Sequence, residues 1–209
     1  MIVHKFGGAA IKDAEGIKNL YSILNERTEE KLIILSAFGK TTNNLELLAD
    51  AIYKNDQSEF SSRLDYVIEY HTKILNELFP KDHQVVEDIG QVFQNIRKIA
   101  IVDHSDYDFL YDQVVSLGEI LSTKIVSAFL NMKGMNCQWK DIRKHIITDN
   151  VFREANINWE MTAASIKENF NLQKGQFILT QGFISGTDEG YTTTLGREGS
   201  DYTAAVVAN

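Results

Sequence analysis

The chain has 209 residues with 21 lysines and arginines against 29 aspartates and glutamates, which gives a formal net charge of −8 at pH 7. Because 44% of the residues are hydrophobic and 24% are charged, the chain can bury a substantial core as one large domain or two small ones, and intrinsic disorder is excluded. The acidic balance and the lack of a basic run exclude the electrostatic footprint of a nucleic-acid-binding protein.

The cellular compartment is indicated by what the sequence lacks. The N-terminal residues contain no basic region followed by an apolar one, and no apolar stretch approaches the ~18–20 residues needed to cross a bilayer. Cys137 is the single cysteine, which excludes an internal disulfide framework and a cysteine-clustered metal site. These features predict a soluble, unexported, cytoplasmic protein with neither a membrane nor a nucleic acid as partner.

The first quarter of the chain predicts two units that each consist of a strand, a loop and a helix. In the first unit, two glycines separate a strand-like run from apolar residues at helical spacing. In the second, a continuous apolar run typical of a buried parallel strand precedes small residues and another helix. The strands are predicted at 2–6 and 31–35, the loops at 7–8 and 36–42, and the helices at 13–27 and 43–53.

The middle of the chain is predicted to be helical. Apolar residues recur at helical spacing from 58 to 102, and Pro80 divides this stretch into two helices. A single apolar stripe then runs over 107–133 and predicts one long core helix, with Gly134 as its C-cap.

Short strands alternate with helices in the last third of the chain. Strands are predicted at 135–139, 145–148 and 177–179, and helices at 159–170 and from about 199 onward. This alternation predicts an α/β sandwich with a largely parallel sheet, in which ligands bind at the carboxyl ends of strands. The uncapped helix at the end of the sequence leads us to expect that the natural chain continues.

Three short segments carry side chains that have two possible roles. Lys5 and the glycines Gly7 and Gly8 follow the first strand, where backbone N–H groups can face a phosphate, although an ordinary turn has the same pattern. Residues 36–43 offer hydroxyl groups either for a small polar substrate or for a helix cap. Glu119 lies off the apolar stripe of its helix, either as a binding carboxylate or as a solvated surface residue.

The most informative segment is 180–201, which combines a glycine-rich turn, consecutive threonines and an arginine ahead of a predicted helix start at Ser200. Arg197 can bind a carboxylate through two parallel hydrogen bonds, and the N–H groups of a helix N-terminus favour anions. The alternative is a β-hairpin followed by an ordinary cap at Ser200. Because several anion-binding features converge here, we expect an anion site.

Taken in order, these motifs resemble aspartate kinases of the amino-acid kinase superfamily. The match spans nearly the whole chain and is most specific at 192–205, which reads Thr-Thr-Thr-Leu-Gly-Arg-Glu-Gly-Ser-Asp-Tyr-Thr-Ala-Ala. The resemblance implies a three-layer αβα sandwich and transfer of the γ-phosphoryl group of ATP, with Mg²⁺, to the side-chain carboxylate of L-aspartate. The product would be 4-phospho-L-aspartate, which leads to lysine, threonine and methionine.

The resemblance also implies a role for each matching residue. Lys5 would neutralise charge on the transferring phosphoryl group, Asp201 would orient Lys5, and Glu119 would accept from the α-ammonium group of aspartate. Arg197 would clamp a substrate carboxylate, and no residue is implied as a metal ligand. The remaining implied contacts are the backbone N–H groups of Gly7 and Gly8 to phosphate, and Ser36, Thr42, Phe183, Gly199 and Ser200 around the aspartate pocket.

Three departures from the family pattern bear on activity. Ala9 and Ala10 stand where the family usually has hydroxyl side chains, and Glu198 replaces a usual glycine beside the expected phosphate site. The family also continues past this length with the nucleotide lobe and ACT domains. We therefore expect 1–209 to be the N-terminal, aspartate-binding part of a kinase, with a helical insert around 58–102, and to be inactive alone.

Other functions stay open at this point. A non-catalytic amino-acid-binding or interaction module would use the same pocket without ATP. Another amino-acid kinase, such as glutamate 5-kinase, fits less well, because the helical insert and the Leu-Gly-Glu segment at 117–119 are more typical of aspartate kinases. The sequence also leaves open whether the protein is a homo-oligomer.

Overall fold

A four-stranded parallel sheet forms the centre of the molecule, in a computed structural model that describes residues 2–26, 29–102, 104–172 and 175–208. Its strands, in spatial order, are β1 (Ile2–Phe6), β2 (Lys31–Leu35), β5 (Gln176–Gln181) and β3 (Asn136–Trp139). Every residue of β2 is buried although successive side chains point to opposite faces, so both faces of the sheet are covered. The predicted sandwich with a largely parallel sheet is confirmed.

A second, three-stranded sheet lies beyond the end of β5. It consists of β4 (Ile147–Thr148), β6 (Ile184–Thr187) and β7 (Thr192–Thr194). β4 and β6 are parallel, whereas β6 and β7 form an antiparallel hairpin. This hairpin confirms one of the two alternatives predicted for the segment 180–201. It connects the large sheet to the predicted anion site.

Eight helices in the described residues surround the sheets. Four of them begin at a side-chain cap, in which an aspartate or asparagine oxygen accepts from a backbone N–H of the first turn: Asp13, Asp56, Asp106 and Asn158. Their bounds are α1 Ala14–Asn25, α2 Thr41–Tyr53, α3 Gln57–Leu78, α4 Gln84–Ala100, α5 Tyr107–Val115, α6 Leu117–Met132, α7 Trp159–Asn169 and α8 Gly199–Ala208.

These bounds agree with most of the predicted elements. α3 and α4 are separate helices on either side of Pro80, as expected. The strand predicted at 145–148 is shorter, because a 3₁₀ turn at Ile142–Lys144 precedes it. The first predicted helix extended to Arg27, which lies outside the described residues. α6 packs against β2, β3 and β5, and α8 packs against β1, β2 and β6.

The helix predicted over 107–133 is divided at Ser116 into α5 and α6, yet Ser116 keeps right-handed helical dihedrals (φ −56°, ψ −23°), so Tyr107–Met132 forms the long helical stretch that was expected. The Ser116 hydroxyl donates to the carbonyl of Gln113 at 3.4 Å, and the backbone hydrogen bonds beside it are long, at 3.3 and 3.4 Å.

Contrary to the sequence expectation, Tyr107–Met132 is long and apolar enough to cross a membrane, yet 83% of its most apolar window is buried inside the protein. That burial assigns the stretch to the hydrophobic core.

Gly8 lies where two loops meet too closely for any side chain, since an added Cβ would lie 2.2 Å from the carbonyl oxygen of Ala37. We expect Gly8→Ala to lower the free energy of unfolding by about 1–3 kcal/mol, because both groups belong to the backbone. Gly90→Ala is the control: nothing lies within 4 Å of its added Cβ in α4, so it should raise stability by about 0.5–1 kcal/mol. Urea unfolding measures both, and an unchanged Gly8→Ala protein would contradict this close contact.

Candidate active site

A cleft of about 820 Å³ opens at the carboxyl ends of β1 and β2. Its walls come from α2, α5, α6, the segment 151–154 and the segment that runs from β7 into α8. Most of the predicted site residues line it together: Lys5, Ser36, Thr42, Glu119, Phe183, Arg197, Gly199, Ser200 and Asp201. Gly7 and Gly8 are not among the described residues that line it, although a Cβ added at Gly7 would lie 3.9 Å from the Nζ of Lys5, so their implied contacts to phosphate stay a prediction.

Lys5 and Asp201 form an ion pair at the cleft. Lys5 is near the end of β1, and its Nζ donates to Oδ2 of Asp201, in the first turn of α8, at 2.9 Å. The two side chains are 25% and 63% exposed, so the pair contributes little to stability. The contact directs the Lys5 ammonium group toward Asp201, whose role in orienting Lys5 stays a prediction.

The start of α8 is joined to the end of β2 through two serines. The hydroxyl of Ser36 lies 3.0 Å from that of Ser200, while the Ser36 carbonyl accepts from Ser122 at 2.9 Å. α8 begins at Gly199, and the carbonyl of Glu198 accepts from the N–H groups of Asp201 and Tyr202. Ser200 therefore lies inside the first turn of α8, and its interpretation as the N-cap of this helix is wrong.

Glu119 is buried rather than solvated. It is 2% exposed in the first turn of α6, and its Oε1 accepts from the backbone N–H of Ala37 at 3.1 Å. Its Oε2 has no hydrogen-bond partner within the part of the chain that the structure describes, and burial raises the pKa of the carboxyl to about 8. A buried polar atom without a partner is costly, so an ammonium group entering the cleft would favour the ionised carboxylate, whose free oxygen can accept from it.

Arg197 differs from the other cations that line the cleft. Lys5 is paired with Asp201, and the Arg153 guanidinium donates to Asp108 at 3.2 Å. Arg197 is exposed and has no hydrogen bond or ion pair among the residues that the structure describes. An anionic group that enters the cleft can therefore reach Arg197 without displacing an existing partner.

Sequence reasoning missed four further residues of this region: Glu46, Tyr111, Asp112 and Arg153. Glu46 accepts from the hydroxyl of Tyr111 at 2.5 Å, and the Arg153 guanidinium lies 4.4 Å from the centre of the Tyr111 ring. Asp112 is fully buried beneath the cleft wall. The sequence carried no clear signal for them, because α5 also contains Asp108 and Gln113 and the irregular segment around Arg153 has no periodic pattern.

Glu198 lines the cleft and has a left-handed backbone, with a φ of 57°. A carboxylate at a helix N-terminus competes with a bound anion, so if the cleft binds L-aspartate, as the resemblance implies, Glu198→Gly should raise that affinity about 2- to 5-fold at low salt and less at high salt. Glu198→Gln is the matched control, since it removes the charge and keeps a side chain. Calorimetric titration at two salt concentrations measures both, and equal affinities for all three proteins would exclude such competition.

Together the fold and the cleft define a class of protein: an α/β sandwich whose site at the strand ends suits a small ligand with both an amino and an acidic group. The model of the amino acid kinase family matches residues 1–209, and the chain belongs to that family. The family's fold is therefore expected for the whole described chain.

Known relatives agree with this assignment. Lysine-sensitive aspartokinase 3 of Escherichia coli is 32% identical over 212 residues, and the match covers all of this chain and 46% of that protein. The chloroplastic bifunctional aspartokinase/homoserine dehydrogenase 2 of Arabidopsis thaliana is 29% identical, with 98% of this chain and 23% of that protein covered. The resemblance to aspartate kinases is confirmed.

Solved structures give the same result for the fold. Escherichia coli aspartokinase III in complex with lysine and aspartate has a TM-score of 0.90 at 31% identity, and its complex with aspartate and ADP has a TM-score of 0.89 at 32% identity. In both cases all of this chain matches 46% of the solved chain. The chain thus spans about half the length of these relatives.

Proposed function

We propose that the chain forms the aspartate-binding part of an aspartate kinase, which transfers the γ-phosphoryl group of MgATP to the side-chain carboxylate of L-aspartate. The observation that carries this proposal is the unpartnered Oε2 of buried Glu119 in a cleft that also contains the unpaired Arg197. An amino acid with a second carboxylate supplies the matching ammonium and carboxylate groups. Further support comes from the aspartate complexes of the related Escherichia coli enzyme.

In this proposal the cleft residues mainly position the reactants. Glu119 accepts from the α-ammonium group and Arg197 binds the α-carboxylate, which leaves the side-chain carboxylate to attack. No general base is needed, because a carboxylate with a pKa of about 3.9 is already ionised at neutral pH. Thr42, Ser36 and Phe183 line the pocket around the substrate, and the Ser200 hydroxyl donates to it. The Gly199 N–H, which the resemblance implied as a further donor, already donates to the Gly196 carbonyl at 3.1 Å.

Lys5 provides the positive charge at the reacting end. Its ammonium group, oriented by Asp201, offsets the negative charge of the transferring phosphoryl group. The N–H groups of Gly7 and Gly8 are proposed to donate to the same phosphate. Mg²⁺ arrives as part of MgATP, and no group of three or more potential metal ligands occurs among the described residues.

The nucleotide site is proposed to lie mainly outside this chain, which spans 46% of the Escherichia coli relative. We therefore expect the isolated 209-residue chain to show no measurable ATP-dependent phosphorylation of aspartate, because the residues that bind adenine and ribose are proposed to lie outside it. A hydroxamate assay measures acyl-phosphate formation directly. A rate clearly above background would place the nucleotide site within these residues and contradict this expectation.

Ligand binding tests the proposal independently of turnover. Isothermal titration should show L-aspartate binding more tightly than succinate, which lacks the ammonium group, and more tightly than β-alanine, which lacks the α-carboxylate. Equal affinity for aspartate and succinate would remove the proposed role of Glu119.

A non-catalytic amino-acid-binding module is the second candidate function, favoured by the carboxylate of Glu198 on the cleft wall. It would bind aspartate even in a chain that includes the nucleotide lobe, without phosphorylating it.

The expected surroundings of the protein follow from the same proposal. An aspartate kinase acts on small soluble metabolites, so we propose a cytoplasmic location without membrane or nucleic-acid partners. Homo-oligomer formation also stays a prediction.

A further inference from the structure

The buried carboxylate of Asp112 lies in α5 and takes no part in the chemistry proposed above. It is 0% exposed, and three donors converge on it. Its Oδ2 accepts from the backbone N–H groups of Arg153 and Thr194, each at 2.9 Å, and its Oδ1 accepts from the Thr194 hydroxyl at 2.7 Å. One side chain thus joins α5 to two segments that are 41 and 82 residues away along the chain.

Both of these segments form walls of the cleft. Arg153 belongs to the segment 151–154, all four residues of which line the cleft. Thr194 is the last residue of β7 and itself lines the cleft, and the chain continues from it through Gly196 to Arg197. The two segments also bond to each other, since the N–H of Ala155 donates to the Thr194 carbonyl at 3.0 Å. Asp112 is therefore the point from which both walls are fixed.

The backbone around Arg153 needs such an anchor. Arg153 has a φ of 72°, in the left-handed region that disfavours residues with a side chain. Such a conformation persists where neighbouring contacts hold it, and here its N–H is held by Asp112. Burial raises the pKa of Asp112 to about 6, so at neutral pH the carboxyl is ionised and accepts from all three donors.

We propose that Asp112 is a positioning residue for substrate binding, which acts by holding the segment of Arg153 and the β7 segment that leads to Arg197. This inference rests on the proposed function, because the group it positions is the arginine that binds the substrate carboxylate. Loss of the Asp112 carboxylate leaves two buried N–H groups without acceptors, which releases both walls.

Three variants test the proposal. Asp112→Ala removes every acceptor. In Asp112→Asn the amide oxygen can accept from both N–H groups, while Nδ2 donates to the Thr194 hydroxyl oxygen, whose own proton can turn to the Arg153 carbonyl at 3.3 Å. The matched control is Thr162→Ala, which removes a buried hydroxyl that bonds the backbone of Ile147 away from the cleft.

The experiment combines calorimetric titration of L-aspartate with hydrogen-exchange mass spectrometry. We expect Asp112→Ala to weaken aspartate binding at least ~10-fold and to speed exchange selectively in 151–156 and 192–198, and Asp112→Asn to stay within about threefold of wild type. Thr162→Ala should change neither. Unchanged exchange in these segments, or unchanged affinity despite faster exchange, would overturn the proposal.

The two proposals fail in different ways. If the wild-type chain does not bind aspartate, the proposed function is contradicted, and the exchange data still decide whether Asp112 holds both segments. If Asp112→Asn loses affinity as fully as Asp112→Ala, the negative charge rather than the set of acceptors is what matters, and the positioning role as stated is wrong.

Discussion

Glu119→Gln is expected to weaken the binding of L-aspartate by roughly 30-fold or more at pH 8. The glutamine oxygen can still accept from the Ala37 N–H, but its Nε2 replaces the unpartnered carboxylate oxygen and presents donors to the substrate ammonium group. Removing one partner of a buried, hydrogen-bonded charge pair costs about 2–5 kcal/mol. Isothermal titration measures the change, and an affinity equal to that of wild type would contradict the proposed contact.

The pH dependence of binding gives a second test of the same contact. Because the pKa of Glu119 is raised to about 8 by burial, the carboxyl is mostly protonated below that pH in the unliganded chain. An ammonium ligand binds the ionised form, so binding should release a proton below about pH 8, and aspartate affinity should fall by up to ~10-fold for each pH unit lowered. Titrations in buffers of different ionisation enthalpy count that proton.

A matched control separates this contact from the general charge of the cleft. Glu46 also lines the cleft, yet it already accepts from Tyr111, so Glu46→Gln should change aspartate affinity only slightly and leave the proton release intact. Glu119→Gln should abolish the release. Proton release that persists in Glu119→Gln would mean that another group titrates on binding.

Protein stability should follow the same ionisation. The folded chain keeps Glu119 protonated up to about pH 8, whereas the unfolded chain ionises near 4.5, so its contribution to the free energy of unfolding is complete below pH 4.5 and lost as the pH rises toward 8. The pKa of His71 near 4 and that of Asp112 near 6 in the folded chain also differ from their values in the unfolded chain, so the difference between wild type and Glu119→Gln, rather than the wild-type profile alone, isolates Glu119. Urea unfolding of Glu119→Gln should show a flatter profile over this pH range.

Arg197→Ala is expected to weaken aspartate binding about 10- to 100-fold. The guanidinium has no partner among the described residues, so it can bind a substrate carboxylate through charge-assisted hydrogen bonds, which are worth about 1.5–3 kcal/mol. Arg197→Lys should restore only part of the affinity, because a lysine cannot form two parallel bonds to one carboxylate.

Arg97→Ala provides the control for this loss of charge. Arg97 is exposed in the last turn of α4 and does not line the cleft, so its loss should leave aspartate affinity unchanged. Succinate, which keeps both carboxylates, should also bind Arg197→Ala more weakly than wild type. An affinity of Arg197→Ala within twofold of wild type would exclude the proposed clamp.

Much of the fold could be predicted because local patterns and the final packing agree. The continuous apolar run of β2 indicated a strand covered on both faces, and every residue of β2 is buried. The division at Ser116 could not be predicted, because the apolar stripe continues through it and only the lengthened backbone hydrogen bonds beside it mark the position. The spacing of apolar residues identifies helices well, but it identifies irregularities within a helix poorly.

The candidate site divides in the same way. The motifs at 5–8, 36–43, 117–119, 181–184 and 192–205 supplied the predicted site residues, and nine of these residues line one cleft. Gly7 and Gly8 lie outside the lining, and the sequence left undecided whether Glu119 is solvated. Burial of that glutamate depends on the loop that follows β2, which supplies the N–H of Ala37, so no local pattern could reveal it.

The sequence by itself determined the α/β class, the parallel strands and the residue types of the site, because periodicity and short motifs are local properties. Only the tertiary structure decided which groups are free and which are paired. The Lys5–Asp201 ion pair and the three hydrogen bonds to Asp112 join residues that lie 41 to 196 positions apart in the chain. The unpartnered oxygen of Glu119 depends on burial from all sides. Hydrogen-bond satisfaction and desolvation are properties of the packed chain, which is why only the folded protein shows them.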